Sequence, residues 1–158
     1  MKKLLLAATV LLLAVTTNLN AQLPEKAEDI SPLLIGETMP NTALTGLDGA
    51  TIPFLEIAKA KPTVLVVYRG GWCPYCTKHL SALGQNEAEI LDLGYQIVAI
   101  SPDNIENLQA TAEKDEIHYR LFSDGAGEFS KAAGIAFQAP ERYEKRLLDA
   151  SGGQNTTA

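Results

Sequence analysis

The stretch Thr63-Val64-Leu65-Val66-Val67-Tyr68, followed by Arg69-Gly70-Gly71-Trp72-Cys73-Pro74-Tyr75-Cys76, decides how this chain folds. Its first half is rich in β-branched residues and continuously apolar, the pattern of an inner strand covered on both faces. Gly70 and Gly71 let the backbone turn tightly, and Pro74 suits the first helical position, where its missing N–H is not needed. Thr77-Lys78-His79-Leu80-Ser81-Ala82-Leu83 continues in helical composition. A strand therefore gives way to a helix at Cys73 and Cys76, the only two cysteines of the chain. Both sulfurs fall in the first turn, where unpaired N–H groups and the helix dipole favour an anion. A Cys-x-x-Cys pair in that place points to thiol redox chemistry.

The 158-residue length allows one small domain. Ahead of it, Met1-Lys2-Lys3 is basic, Leu4 to Val15 is apolar and uncharged, and Leu19-Asn20-Ala21 offers a small residue before Gln22. Residues 1–21 read as a secretory signal peptide, too short and wrongly flanked for a membrane span. A permanent signal anchor is the alternative. No cysteine follows the apolar run to accept a lipid, so no stable anchor is expected after cleavage. The expected location is periplasmic or extracellular, where a disulfide persists; the cytosol keeps such pairs reduced. A net charge of −6 without basic clusters argues against nucleic acid and anionic membranes as partners.

Residues 22–35, polar with two prolines between Gln22 and Leu33, read as an extended linker, and residues 36–158 as the domain. Asn41 to Ile52 reads as a hairpin turning at Asp48-Gly49. Phe54 to Lys59 fits a helical turn. After the cysteine loop a helix is expected to about Leu93, with Gly94 at its C′ position. Gln96 to Ile100 reads as a second buried strand. A helix opens at Ser101-Pro102-Asp103-Asn104 and runs to about Glu116. Tyr119 to Phe122 is a third strand, Glu128 to Ala133 a brief helix ending at Gly134, and Pro140 to Ala150 another helix. Strands alternating with helices imply an α/β domain with a largely parallel sheet.

Tyr68-Arg69-Gly70-Gly71-Trp72-Cys73-Pro74-Tyr75-Cys76 closely resembles the active-site signature of peroxiredoxin-like proteins of the alkyl hydroperoxide reductase C/thiol-specific antioxidant group. Met39-Pro40, Leu44 and Asp48-Gly49 resemble the N-terminal hairpin of that group, and Ile100-Ser101-Pro102-Asp103 and Leu121-Phe122-Ser123-Asp124 its next strand ends. The likeness covers roughly residues 36–150 and implies a thioredoxin fold with thiol-dependent oxidoreductase or peroxidase activity. In two respects the chain departs from the group. Peroxiredoxins typically carry Pro-x-x-x-Thr/Ser-x-x-Cys, which places Cys76 at the attacking cysteine, Cys73 at the Thr and Arg69 at the Pro. A thiol then stands where a hydroxyl would orient peroxide. The fold also ordinarily continues through a cis-proline loop, two antiparallel strands and a last helix, and peroxiredoxins usually take their transition-state arginine from that region. The expectation is a domain lacking that C-terminal part.

The residues leave two orders of reaction open. In disulfide exchange Cys73, nearest the helix N-terminus, attacks a substrate disulfide and Cys76, one turn on, resolves the mixed disulfide. In the peroxidase variant implied by the resemblance, Cys76 attacks a peroxide, becomes a sulfenic acid and is resolved by Cys73. Either way an external thiol donor recycles the pair, and no cofactor or metal is expected. The alternatives are a structural disulfide, which so small a loop makes weakly stabilising, and zinc held with His79 and His118. Of the supporting residues, Arg69 offers charge to a thiolate or peroxide, Trp72 a cover over the thiols, Pro74 the helix start, and Tyr75 an exposed neighbour that tunes the pair. Asp103, Asp124 and His118 read as strand-end and cap residues. A different class of reading is a non-catalytic, marginally folded truncated product.

Overall fold

A computed structural model describes residues 22–150. The segment 1–21, expected as a leader, and residues 151–158 lie outside the described residues. After a short 3-10 turn at Ala27–Asp29 come β1 (Ala43–Gly46), β2 (Thr51–Pro53), α1 (Phe54–Ala58), β3 (Thr63–Val67), α2 (Pro74–Gln85), α3 (Glu87–Asp92), β4 (Gln96–Ser101), α4 (Ile105–Lys114), β5 (Arg120–Ser123), α5 (Glu128–Ala132) and α6 (Glu141–Ala150). Among the described residues no helix is long and apolar enough to cross a membrane.

The five strands form one sheet in the order β2-β1-β5-β4-β3. β3, β4 and β5 run parallel, with Val64 opposite Ile97 and Ala99 opposite Leu121. The hairpin joins them antiparallel through β1, Thr45 facing Ser123, so that the sheet is mixed. Asp48 accepts the Ala50 N–H (3.0 Å) and Gly49 takes φ +77°, as the Asp-Gly turn signal requires.

β4 is the most buried strand, all six of its residues being covered. Its side chains alternate between two cores, as a pleated strand dictates. Val98 and Ile100 pack with Leu44, Phe54, Ile57 and Phe129 on one face, and Ile97 and Ala99 with Tyr68, Leu80, Leu108 and Leu121 on the other. The Phe54 and Phe129 rings meet tilted at 5.0 Å. Gln96, polar and buried at the strand start, is satisfied: its amide donates to the Ile57 carbonyl and the Thr63 hydroxyl, both at 2.9 Å.

The structure differs from four expectations. Thr63–Val67 is the outermost strand among the described residues and only half-buried, with Val67 exposed. A continuous apolar run reports cover above and below a sheet and is silent about neighbours in its plane. The helix expected to reach Leu93 breaks at Asn86, where the backbone N–H turns to the Leu83 carbonyl (3.1 Å) and the side-chain amide takes the Ala82 carbonyl (2.8 Å). Asn is prone to this competition for backbone partners. The helix expected to end near Glu116 stops at Lys114, before Glu116 in the left-handed region (φ +50°). The segment read as a linker is tied to the domain: Ser31 N–H donates to the Gly134 carbonyl (3.1 Å), and Pro24 accepts from Gln138 N–H (2.7 Å).

Candidate active site

The chain leaves β3 through Tyr68, whose N–H still pairs with the Ile100 carbonyl (2.9 Å) and whose ring enters the core. The loop then closes on itself, Cys73 N–H donating to the Gly70 carbonyl (3.1 Å). Gly70 sits at φ +140°, and a side chain there would meet Trp72 Nε1 at 2.5 Å and Asp103 Oδ1 at 2.6 Å. Gly71 is required by contact, since a Cβ on it would land on the Thr111 hydroxyl. Both glycines expected from the sequence are thus explained, one by conformation and one by close approach. Cys73 is the N-cap of α2, its carbonyl accepting the Thr77 N–H (3.0 Å), with Pro74 at the first position.

Asp103, expected as a cap residue, has another place. It is 1% exposed and its Oδ2 accepts the Gly71 N–H at 2.8 Å and the Ser101 hydroxyl at 3.2 Å. Its Oδ1 is buried without a hydrogen bond. Burial pushes its carboxyl up, against the opposing pull of the Gly71 N–H and Ser101. Tyr68, facing Ser101 and Asp103 without a hydrogen bond of good geometry, is also pushed up by burial. Asp124 does behave as a cap, accepting the N–H groups of Phe129 and Ser130 in α5, each at 2.9 Å.

Both thiols are free. Cys73 is fully buried and Cys76 half-buried. Burial disfavours a Cys73 thiolate, but donors from Cys76 (thiol and backbone N–H) together with the Arg69 guanidinium outweigh it and hold Cys73 below the ordinary thiol range. Cys76 is pushed up by burial and by the hydrogen bond it gives to Cys73. The opposed shifts favour Cys73 over Cys76 as the seat of a negative charge. Arg69 Nη2 donates to Cys73 Sγ at 2.9 Å and Nη1 to the Tyr143 hydroxyl at 2.9 Å, while its Cζ lies 5.4 Å from the Trp72 ring centroid.

The supporting residues thus divide. Arg69, Trp72 and Pro74 are brought to the pair, whereas Tyr75 points outward, 80% exposed. His79 and His118 are exposed, and among the described residues no group of three His, Cys, Asp or Glu side chains converges as a metal would need. A cavity of about 470 Å³ opens beside Arg69 and Tyr143, walled by Val67, Ile135, Phe137 and Leu147. Tyr143 and the buried role of Asp103 are what sequence reading missed. Ser-Pro-Asp carries a helix-start signal that hides the carboxylate's other use, and no local pattern links Tyr143 to a loop 74 residues away.

The sequence pattern of the AhpC/TSA family matches residues 35–152. Peroxiredoxin bcp1 of Schizosaccharomyces pombe is 30% identical over 112 residues, which cover 70% of this chain and 57% of that protein. Peroxiredoxin Bcp of Escherichia coli is 26% identical over 106 residues, 67% of each chain. Among solved structures, peroxidoxin BcpB of Mycobacterium tuberculosis superposes with a TM-score of 0.59 at 25% identity, covering 63% of this chain and 64% of that one. Reduced Prx3 of Vibrio vulnificus, solved in complex with hydrogen peroxide, gives 0.60 at 26% identity over 65% of this chain and 68% of that one. The structural neighbours are thioredoxin-fold peroxiredoxins, and the described sheet with its flanking helices has that fold. The chain spans 57% and 60% of the lengths of two of its curated relatives. With motif, fold and family match in agreement, the chain belongs to the AhpC/TSA family.

Proposed function

We propose that the protein is a thiol-dependent peroxidase in which Cys73 is the attacking sulfur and Cys76 the resolving one. The observation that carries this reading is the Arg69 Nη2–Cys73 Sγ contact of 2.9 Å at the start of α2, which together with the hydrogen bonds from Cys76 favours a negative charge on Cys73. The thiolate attacks one peroxide oxygen, the O–O bond breaks, and the departing alkoxide or hydroxide takes a proton from solvent. Cys73 becomes a sulfenic acid. Cys76 sulfur then displaces its hydroxyl as water, forming a Cys73–Cys76 disulfide, and two electrons from an external dithiol restore both thiols. Full burial of Cys73 favours a small peroxide over a bulky protein disulfide as the first reactant. The composition of residues 1–21 supports an exported enzyme whose disulfide form persists between turnovers.

A second reading exchanges the two roles, favoured by the greater exposure of Cys76. Single-turnover reaction with hydrogen peroxide separates them. Cys76→Ser is expected to consume one equivalent and leave a sulfenic acid on Cys73 that a dimedone-type probe traps, while Cys73→Ser is inert. The reverse pattern refutes the first reading in favour of the second, and inertness of both variants refutes both.

A further inference from the structure

We infer that Tyr143 is a positioning residue of the thiol site: its phenolic oxygen holds the Arg69 guanidinium on the Cys73 sulfur. The inference rests on the reading of Cys73 as the charged thiol. Arginine presents a rigid planar fork, and here two of its nitrogens are spent on different partners, Nη2 on Cys73 Sγ and Nη1 on Tyr143 Oη, each at 2.9 Å. An exposed arginine without such an anchor spreads over many rotamers, most of them away from the sulfur. The Trp72 ring restrains the guanidinium plane from the loop side, and Tyr143 fixes it from α6.

The chemistry of the anchor matters as much as its position. None of the ion pairs among the described residues involves Arg69. A carboxylate in place of the phenol would also fix the fork, but would cancel the charge that the thiolate needs. A phenolic oxygen accepts the hydrogen bond and leaves the cation's charge uncancelled. Tyr143 sits one turn from Leu147 on the side of α6 that walls the cavity, so the docking of this last helix is reported at the sulfur. The titratable group facing Cys73 besides Arg69 is the Cys76 thiol.

The test follows the pH dependence of Cys73 alkylation in the reduced full chain carrying Cys76→Ser, which retains a hydroxyl donor and leaves one thiol to titrate. Adding Tyr143→Phe keeps the ring and removes the acceptor. The thiolate titration is expected to move up by about 0.5–1 pH unit, with alkylation at lower pH about three- to tenfold slower. Leu147→Ala, which trims the same cavity wall without removing an acceptor, is expected to leave the titration in place. An unmoved titration in Tyr143→Phe overturns the inference, as does an equal shift in both variants, which would assign the effect to α6 packing. No peroxide enters the measurement, so a failure of peroxide turnover is distinguishable from a failure here.

Discussion

Replacing Gly71 with alanine adds one methyl group at the most crowded point of the cysteine loop. The backbone of Gly71 is not in the left-handed region, so alanine brings no conformational penalty and the cost is one of contact. The new Cβ would lie 3.0 Å from Thr111 Cβ, 3.3 Å from its Cγ2, and closer still to its hydroxyl. Thr111 is buried and already donates to the Asn107 carbonyl at 2.8 Å, and the loop cannot retreat without loosening the Gly71 N–H from Asp103. Overpacking of this kind costs about 1–3 kcal/mol and a surrendered buried hydrogen bond about 1 more, so a loss of roughly 2–4 kcal/mol is expected. Against a typical total of about 5–15 kcal/mol, that is a large fraction of the stability. Urea denaturation of the wild type, Gly71→Ala, Thr111→Ala and the double variant measures it. Thr111→Ala removes the hydroxyl and Cγ2 but leaves Cβ, so rescue is expected to be partial, with a favourable coupling of about 1–2 kcal/mol. A Gly71→Ala variant within about 0.5 kcal/mol of wild type, or strict additivity in the cycle, would refute the close approach of loop and helix.

Two further outcomes are expected. Burial raises the Asp103 carboxyl above its unfolded value of 3.8, so its contribution is full below that value and is lost as pH rises through the native one. Asp103→Asn keeps an acceptor for Gly71 N–H and has no charge to bury. Its stability relative to wild type should therefore grow across that interval and stay higher at neutral pH; denaturation curves run at several pH values that showed a constant difference would contradict this. Leu80→Ala, at a position 1% exposed between α2 and the sheet, should cost about 2–5 kcal/mol in thermal or urea unfolding, and a loss below about 1 kcal/mol would mean the helix carrying the cysteines is not packed as described.

Features written in neighbouring residues could be read from the chain directly. The Asp48-Gly49 turn, the strand before Arg69, Pro74 at the start of α2 and Gly94 after α3 each arise from local backbone preference, and all appear where that preference puts them. The placement of the two sulfurs at the start of α2 was legible for the same reason. What escaped depends on contacts distant in sequence. The apolar run 63–67 could not announce that β3 lies outermost among the described strands, because hydropathy records the faces of a sheet and not its order. Asn86 competes with the helix through its own side chain, a choice that composition alone leaves open. Asp103 and Tyr143 matter through partners 32 and 74 residues away, and no periodicity carries such information. That Arg69 reaches Cys73 and not solvent likewise follows from where its guanidinium is held, not from the spacing of the pair.

The grip of Asp103 on Gly71 N–H gives the cysteine loop a second attachment to the sheet. By chain order Cys73 belongs to the end of β3, among the described residues the outermost and least covered of the parallel strands. Through that one buried carboxylate the loop is moored instead to the end of β4, which both cores enclose. A buried hydrogen bond of this kind opposes local opening, so Cys73 stands beside the rim of the described sheet while its loop is held from the interior.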